Sequence, residues 1–195
     1  MKKTNIEHWQ THVYKTEHLY TLVNIEKREI YWTDKEEIDS GTIQDVLSIL
    51  DMLEEIDFIA DVTIILNNCG GDPTASLAFV DRIKRYKFKI NVHGEGLVAS
   101  ASTILLMGTT GKKTMSKYAH MMFHQISDFK FGMERKNDAK SRVKYIESLT
   151  NMIIDLYASN SKIKDHDHWE KEIMSSDTYY DAQQCLELEI IDEKI

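Results

Sequence analysis

The period of the apolar positions changes several times along the chain, and the changes divide it into elements. Over 61–67, Asp-Val-Thr-Ile-Ile-Leu-Asn is nearly all apolar at its centre and rich in β-branched residues. That suits a strand covered on both faces of a parallel sheet. Cys69-Gly70-Gly71-Asp72-Pro73 then breaks the chain, with Asp72 suited to an N-cap and Pro73 to the first helical position. Phe79, Val80, Ile83 and Tyr86 line one side of the helix that follows. Upstream, 28–33 reads as a short strand and 39–55 as a helix, because Ile43, Val46, Leu47, Leu50 and Leu53 recur at helical spacing. Thr42 followed by Asp45 resembles a capping arrangement at the start of that helix. Downstream, alternation over 87–93 predicts a strand, and the small residues of 94–108 predict a turn into a tightly packed helix. Strands are expected at 112–116 and 119–124. The longest helix is expected over 137–160, with Val143, Ile146, Ile153, Leu156 and Tyr157 on its apolar side. A shorter helix (165–174), a last helix (180–189) and an end strand (190–195) complete the pattern. Residues 1–27 are polar and aromatic with poor periodicity, and read as an extension or a peripheral hairpin.

Strand and helix alternate as in an α/β sheet with right-handed crossovers. A long helix inserted late would project from such a core, and a neighbouring subunit is the usual cover for its apolar face. A length of 195 residues fits one domain. A chain of this size buries roughly 70% of its unfolded surface and needs no disulfide or metal staple. Lys plus Arg is 24 and Asp plus Glu is 32, so the net charge of −8 argues against nucleic acid or anionic lipid as a partner. The two cysteines, Cys69 and Cys185, cannot make a disulfide framework and fit a reducing compartment. No apolar run has the length of a membrane span, and none follows the basic Lys2-Lys3 as a secretory signal requires. A cytoplasmic protein is expected. The chain has a single proline and eight glycines, so where they cluster they have a task.

Chemistry in open α/β sheets sits where strands run into helices. One such junction is Gly70-Gly71-Asp72-Pro73, whose backbone N–H groups can receive developing negative charge; a tight turn with a helix cap is the plainer account. A second is Gly96-Leu97-Val98-Ala99-Ser100-Ala101-Ser102, where a serine opens a helix beside N–H donors; close helix packing also selects these small residues. A nucleophilic serine needs a base, and the base an orienting carboxylate. His124 ends an apolar strand, and Asp177 follows a helix, yet spacing alone does not bring Ser100, His124 and Asp177 together. His8 and His12 are spaced for one helix face but lack the glutamate of a zinc-protease helix, and no GxxxxGK[ST] or GxGxxG phosphate loop exists. Cys69 beside the glycines is either a nucleophile or a small buried thiol.

Taken in order, these segments resemble the proteolytic subunit family of the Clp protease, ClpP. Ile65-Leu66-Asn67-Asn68-Cys69-Gly70-Gly71 is similar to the family's strand ending in INSPGG, and Thr74-Ala75-Ser76-Leu77-Ala78 to its following helix start. Gly96 to Ala101 resembles the GxAASM nucleophile segment, and Met121-Met122-Phe123-His124-Gln125 the VMIHQP segment. Asp177 to Ala182, followed by Glu189-Ile190-Ile191-Asp192, resembles the DRFMSAxEAxxYGLID tail. The likeness runs from about residue 28 to 195. It implies the ClpP/crotonase-like α/β fold of repeated βαβ units, with a handle at about 125–160 built from a strand at 129–132 and the long helix.

The resemblance also implies a serine endopeptidase with Ser100 as nucleophile, His124 as base and Asp177 as its orienter. Gly71 and Ala101 would supply the oxyanion hole, and neither metal nor organic cofactor is required. Unfolded proteins or peptides would be cut inside a homo-oligomeric ring, a heptamer or stacked rings, served by an AAA+ unfoldase such as ClpX or ClpA. Departures from the family pattern are Cys69 for proline, Ala101 for methionine, Ser176 for arginine and Glu189 for glycine. Thr63 and Ile65 replace the aromatic positions of the unfoldase pocket, and residues 1–27 do not resemble the axial loops. A chain this divergent is expected in a bacterium or a bacteriophage. Alternatives are a phage head-maturation protease of the same fold, a non-catalytic ring subunit, or a crotonase-like acyl-CoA enzyme, whose motifs are absent.

Overall fold

The computed structural model describes residues 11–15, 20–33, 37–127 and 135–195. The elements are β1 (Thr11–Lys15), β2 (Tyr20–Asn24), β3 (Glu29–Thr33), α1 (Ser40–Ile56), β4 (Val62–Asn68), α2 (Pro73–Ile83), β5 (Ile90–Ala99) and α3 (Ala101–Met107). They continue with β6 (Lys113–Met115), β7 (His120–Phe123), α4 (Lys136–Ser159) and α5 (His166–His168), which runs into a π-helical turn at Trp169–Ile173. β8 (Thr178–Asp181), α6 (Ala182–Glu187) and β9 (Glu193–Lys194) end the chain. The strand expected at 129–132 lies outside the described residues.

The sheet runs β1-β2-β3-β4-β5-β6-β9. β1 and β2 form an antiparallel hairpin that joins β3 at the edge, and β3, β4, β5, β6 and β9 are parallel. Helices α1, α2 and α3 connect consecutive parallel strands, which is the repeated βαβ pattern. Trp32 and Phe79 meet edge to face at 6.1 Å between ring centres, in a core with Leu50, Leu53, Ile64, Leu66 and Ile83. Truncating a buried aromatic such as Phe79 to alanine costs about 3–5 kcal/mol.

Local chemistry explains where elements begin. Asp72 accepts from the N–H groups of Thr74 and Ala75, with Pro73 opening α2. At α1 the capping pair is Asp39 with Thr42, the Asp39 carboxylate accepting from the Thr42 N–H at 2.7 Å while the Thr42 hydroxyl accepts from the Asp39 N–H at 2.9 Å. Thr42 is therefore the last residue of a capping box, at N3, and not its first, because Asp39 is the residue left with extended backbone.

β5 departs most from the periodicity. The alternation ends near His93, yet the strand continues through Gly94-Glu95-Gly96 to Ala99. Gly96 takes a positive φ of 56°, and the β4–β5 register shifts between Leu66 and Asn68. The bend divides β5 between two neighbours. Val92 to Gly94 pair with β6, and Leu97 to Ala99 pair with β7. At the far end, Tyr180 belongs to β8 and not to the last helix, which starts at Ala182 behind a capping box of Asp181 and Gln184.

The long helix has two characters. From Lys136 to Ser148 no residue is buried, whereas Leu149, Ile153, Ile154, Tyr157 and Ala158 are. Its exposed half touches the start of α2 through the Tyr145 and Thr74 hydroxyls, 2.9 Å apart. Its buried half joins an aromatic cluster in which Phe123 meets Tyr157 at 5.3 Å, Trp169 at 5.4 Å and Tyr180 at 6.0 Å.

Candidate active site

The bent half of β5, the end of β7 and the start of β8 bring their termini to one place. β7 pairs antiparallel with β8, Phe123 opposite Thr178. One residue beyond that ladder, His124 and Asp177 face each other. β5 lies parallel on the other side of β7, and the Ser100 N–H donates to the Met122 carbonyl at 2.9 Å. Ser100, His124 and Asp177 are thus brought together by strand register. Phe123, 1% exposed within the aromatic cluster, anchors the strand that presents His124.

Ser100 occupies the N-cap position of α3, but its hydroxyl makes no cap bond. It is hydrogen-bonded to the His124 ring instead, Oγ to Nε2 at 2.7 Å. The opposite ring nitrogen, Nδ1, stands 3.6 Å from Asp177 Oδ1, ion-pair range but longer than a hydrogen bond. Ser100 has φ 55° and ψ −128°. A non-glycine residue there is strained by about 1–3 kcal/mol and is held by its surroundings. Its carbonyl accepts from the Thr103 N–H at 3.0 Å and the Thr103 hydroxyl at 2.6 Å. The Thr103 hydroxyl is in turn 2.6 Å from the Tyr157 hydroxyl. With the Thr103 proton given to Ser100, Tyr157 is the donor of that second bond. Burial pushes the Tyr157 phenol above its ordinary range, so it stays protonated and able to donate.

The Gly70-Gly71 turn packs directly on this bend. Gly70 has φ 107°, and a Cβ there would lie 2.7 Å from Ser100 Cβ and 2.9 Å from the Ala101 nitrogen. Gly71 is held from behind by Ile38, whose N–H donates to the Gly70 carbonyl at 2.8 Å and whose carbonyl accepts from the Asp72 N–H at 2.6 Å. Among the described residues, neither the Gly71 nor the Ala101 N–H meets a protein acceptor. Gly71 and Ala101 line a cavity of about 50 Å³ with Ser100, His124 and Tyr157. A larger cavity of about 420 Å³ adjoins it through Gln125 and Ile126, between the late helix and the π-helical turn. Among the described residues, no group of three or more His, Cys, Asp or Glu side chains is placed to hold a metal ion.

The sequence model of one family, described as Clp protease, matches residues 15–195. The chain belongs to the Clp protease family. Its α/β architecture, with repeated βαβ units and a long late helix, is the fold of that family. Membership extends to curated relatives at modest identity. An ATP-dependent Clp protease proteolytic subunit of Streptococcus thermophilus is 28% identical over 158 residues, covering 80% of this chain and 79% of the relative. The proteolytic subunit 1 of Protochlamydia amoebophila is 26% identical over 172 residues, 88% and 82% of the two chains. The proteolytic subunit 2 of Corynebacterium diphtheriae is 28% identical over 151 residues, 74% and 71%.

Within this Clp protease member, Ser100, His124 and Asp177 lie at one locus with Gly71 and Ala101. Three features around them were not anticipated: the strained Ser100 backbone, the Thr103–Tyr157 hydroxyl pair, and Asn68. The first two depend on contacts with strands and a helix far along the chain. Asn68 carried a local signal, since an asparagine two residues before a tight-turn glycine commonly bonds that glycine's N–H.

Proposed function

We propose that this protein is a serine endopeptidase that hydrolyses peptide bonds of unfolded proteins or peptides through Ser100, His124 and Asp177. The observation that carries the reading is the 2.7 Å hydrogen bond between Ser100 Oγ and His124 Nε2, with Asp177 facing the other ring nitrogen. His124 takes the hydroxyl proton as Ser100 attacks the scissile carbonyl. The N–H groups of Gly71 and Ala101 receive the negative charge that develops on the carbonyl oxygen. His124 then protonates the departing amine, and water, activated by the same ring, frees the acyl group from Ser100. Asp177 favours the charged imidazolium formed in both halves.

The working unit in this reading is a homo-oligomeric ring in the bacterial cytoplasm. Tyr145 and Met152, seven residues apart on one face of the late helix, and Val143 on the other face, are exposed apolar side chains that suit a neighbouring subunit. Neither cysteine is in a disulfide, which suits a reducing compartment. No described helix is long and apolar enough to cross a membrane. The relatives are named ATP-dependent, while this chain has no phosphate loop of its own, so an AAA+ unfoldase would supply ATP-driven delivery.

The test is Ser100→Ala assayed beside the wild type on a fluorogenic peptide with an apolar residue before the scissile bond. The variant should lose about 10⁴-fold or more in rate and all labelling by a fluorophosphonate. Full activity in the variant, or labelling that persists without Ser100, would overturn the assignment.

A further inference from the structure

We infer that Asn68 is a positioning residue that fixes the separation of the two oxyanion donors. The inference rests on the peptidase reading above and concerns a side chain outside the proposed triad. Asn68 ends β4 and is 1% exposed. A buried amide is costly unless hydrogen-bonded, so its bonds also hold its partners. Its Oδ1 accepts from the Gly70 N–H at 2.7 Å and from the Ser102 hydroxyl at 2.9 Å. These donors belong to different segments. Gly70 lies in the turn that carries the Gly71 N–H. Ser102, fully buried, lies in the first turn of α3, beside the Ala101 N–H and the nucleophile. One oxygen atom therefore ties together the segments that supply the two halves of the oxyanion hole.

The tie is made by a neutral acceptor of particular length. An alanine at this position would leave both donors without this acceptor. An aspartate would accept both bonds but would place a negative charge beside the developing oxyanion. The tie acts on geometry that counts mainly in the transition state. Displacement of a donor by about 1 Å is enough to cost on the order of 10²-fold in rate. Ground-state substrate binding does not draw on that placement to the same degree.

The experiment uses the full-length protein and its Asn68→Ala and Ser102→Ala variants, with Ser100→Ala as the inactive reference. Four quantities are read: kcat and KM on a fluorogenic peptide, inhibition by the matching peptide boronate, which mimics the tetrahedral adduct, and inhibition by the cleaved product peptide. In Asn68→Ala, kcat should fall about 10- to 100-fold with KM and product affinity within about twofold, and boronate affinity should weaken by the factor lost in kcat/KM. Ser102→Ala should move the same quantities in the same direction by less, because the Gly70 bond remains, and it decides the matter if Asn68→Ala does not fold. Unchanged kcat and boronate affinity in a folded variant, or a loss confined to KM, overturns the inference while the Ser100→Ala result stands. Equal rates for wild type and Ser100→Ala remove the peptidase reading and the inference with it.

Discussion

His124 holds Ser100 at hydrogen-bond distance, 2.7 Å, but stands 3.6 Å from Asp177, whose side chain is 63% exposed. The pair is tight and the third member loose, and solvent screens the attraction of so exposed a carboxylate for the imidazolium formed during turnover. Replacing His124 by alanine should therefore cost far more than replacing Asp177. Removing the carboxylate of such a triad is gentler than removing nucleophile or base by roughly 10²-fold. We expect Asp177→Ala to keep measurable turnover where His124→Ala keeps only residual rate, read as kcat on one fluorogenic peptide. Equal losses in the two variants would mean that the Asp177 carboxylate closes on the ring during turnover.

The Tyr157 hydroxyl reaches the strained Ser100 through Thr103, and the relay predicts a specific non-additivity. Thr103→Val keeps the shape but strands the buried Tyr157 hydroxyl. An orphaned buried donor costs about 1–3 kcal/mol, which for a chain of this size lowers Tm by about 2–4 °C per kcal/mol. Adding Tyr157→Phe removes the orphan. The double variant should melt no lower than Thr103→Val alone, as followed by circular dichroism. A Tyr157→Phe penalty that is the same in both backgrounds would show the hydroxyls to be uncoupled.

The fold and the locus differ in how far each could be read before the structure. Elements fixed by local pattern were legible: β4 from its β-branched run, α2 from Asp72 and Pro73, α4 from its length. The extension of β5 to Ala99 was not, because Gly94, Glu95 and Gly96 depress strand propensity. There the strand is held by pairing with β4 and β7, and the bend at Gly96 lets it serve two neighbours. The local pattern places Tyr180 in a helix for a similar reason, since only its pairing with Met121 across β7 and β8 makes it a strand residue. At the site, residue types and order suggested Ser100, His124 and Asp177, while their meeting depends on registers that no short segment encodes. The capping box at α1 lies three residues before the one that Thr42 and Asp45 suggest, because Asp39 and Thr42 are both good caps in isolation.

Gly70 tests how closely the turn and the nucleophile bend are packed. A methyl group at this position would meet backbone atoms of Ala99 and Ala101 as well as Ser100 Cβ, and the backbone already sits at φ 107°. None of these neighbours is the flexible end of a side chain. Strain at a positive φ and overpacking each cost about 1–3 kcal/mol, so Gly70→Ala should lose about 2–4 kcal/mol in urea denaturation. Activity should fall with it, since the clash pushes Gly71 and Ala101 apart. A variant with wild-type denaturation midpoint and kcat would show that the turn has room to move.

The two cysteines separate by burial, and the separation sets both reactivity and alkaline stability. Cys185 is buried in α6, and desolvation, reinforced by the Asp181 carboxylate, pushes its thiol from an ordinary value near 9 up to about 12. Cys69 is exposed. Disulfide reagents react with the thiolate, so at mildly alkaline pH the native protein should titrate one thiol rapidly, Cys69, and two after unfolding in urea. The same shift makes stability pH-dependent. Between pH 9 and 12 the unfolded chain gives up the Cys185 proton while the native chain keeps it. The unfolded state then binds fewer protons, and stability falls as pH rises through that window. Burial raises the Tyr86 and Tyr157 phenols as well, and both add to the fall above pH 10. Urea midpoints should therefore be level below pH 9 and decline above it, with a shallower decline in Cys185→Ala. Rapid native labelling of both thiols, or a midpoint that rises with pH above 9, would contradict the burial of this residue.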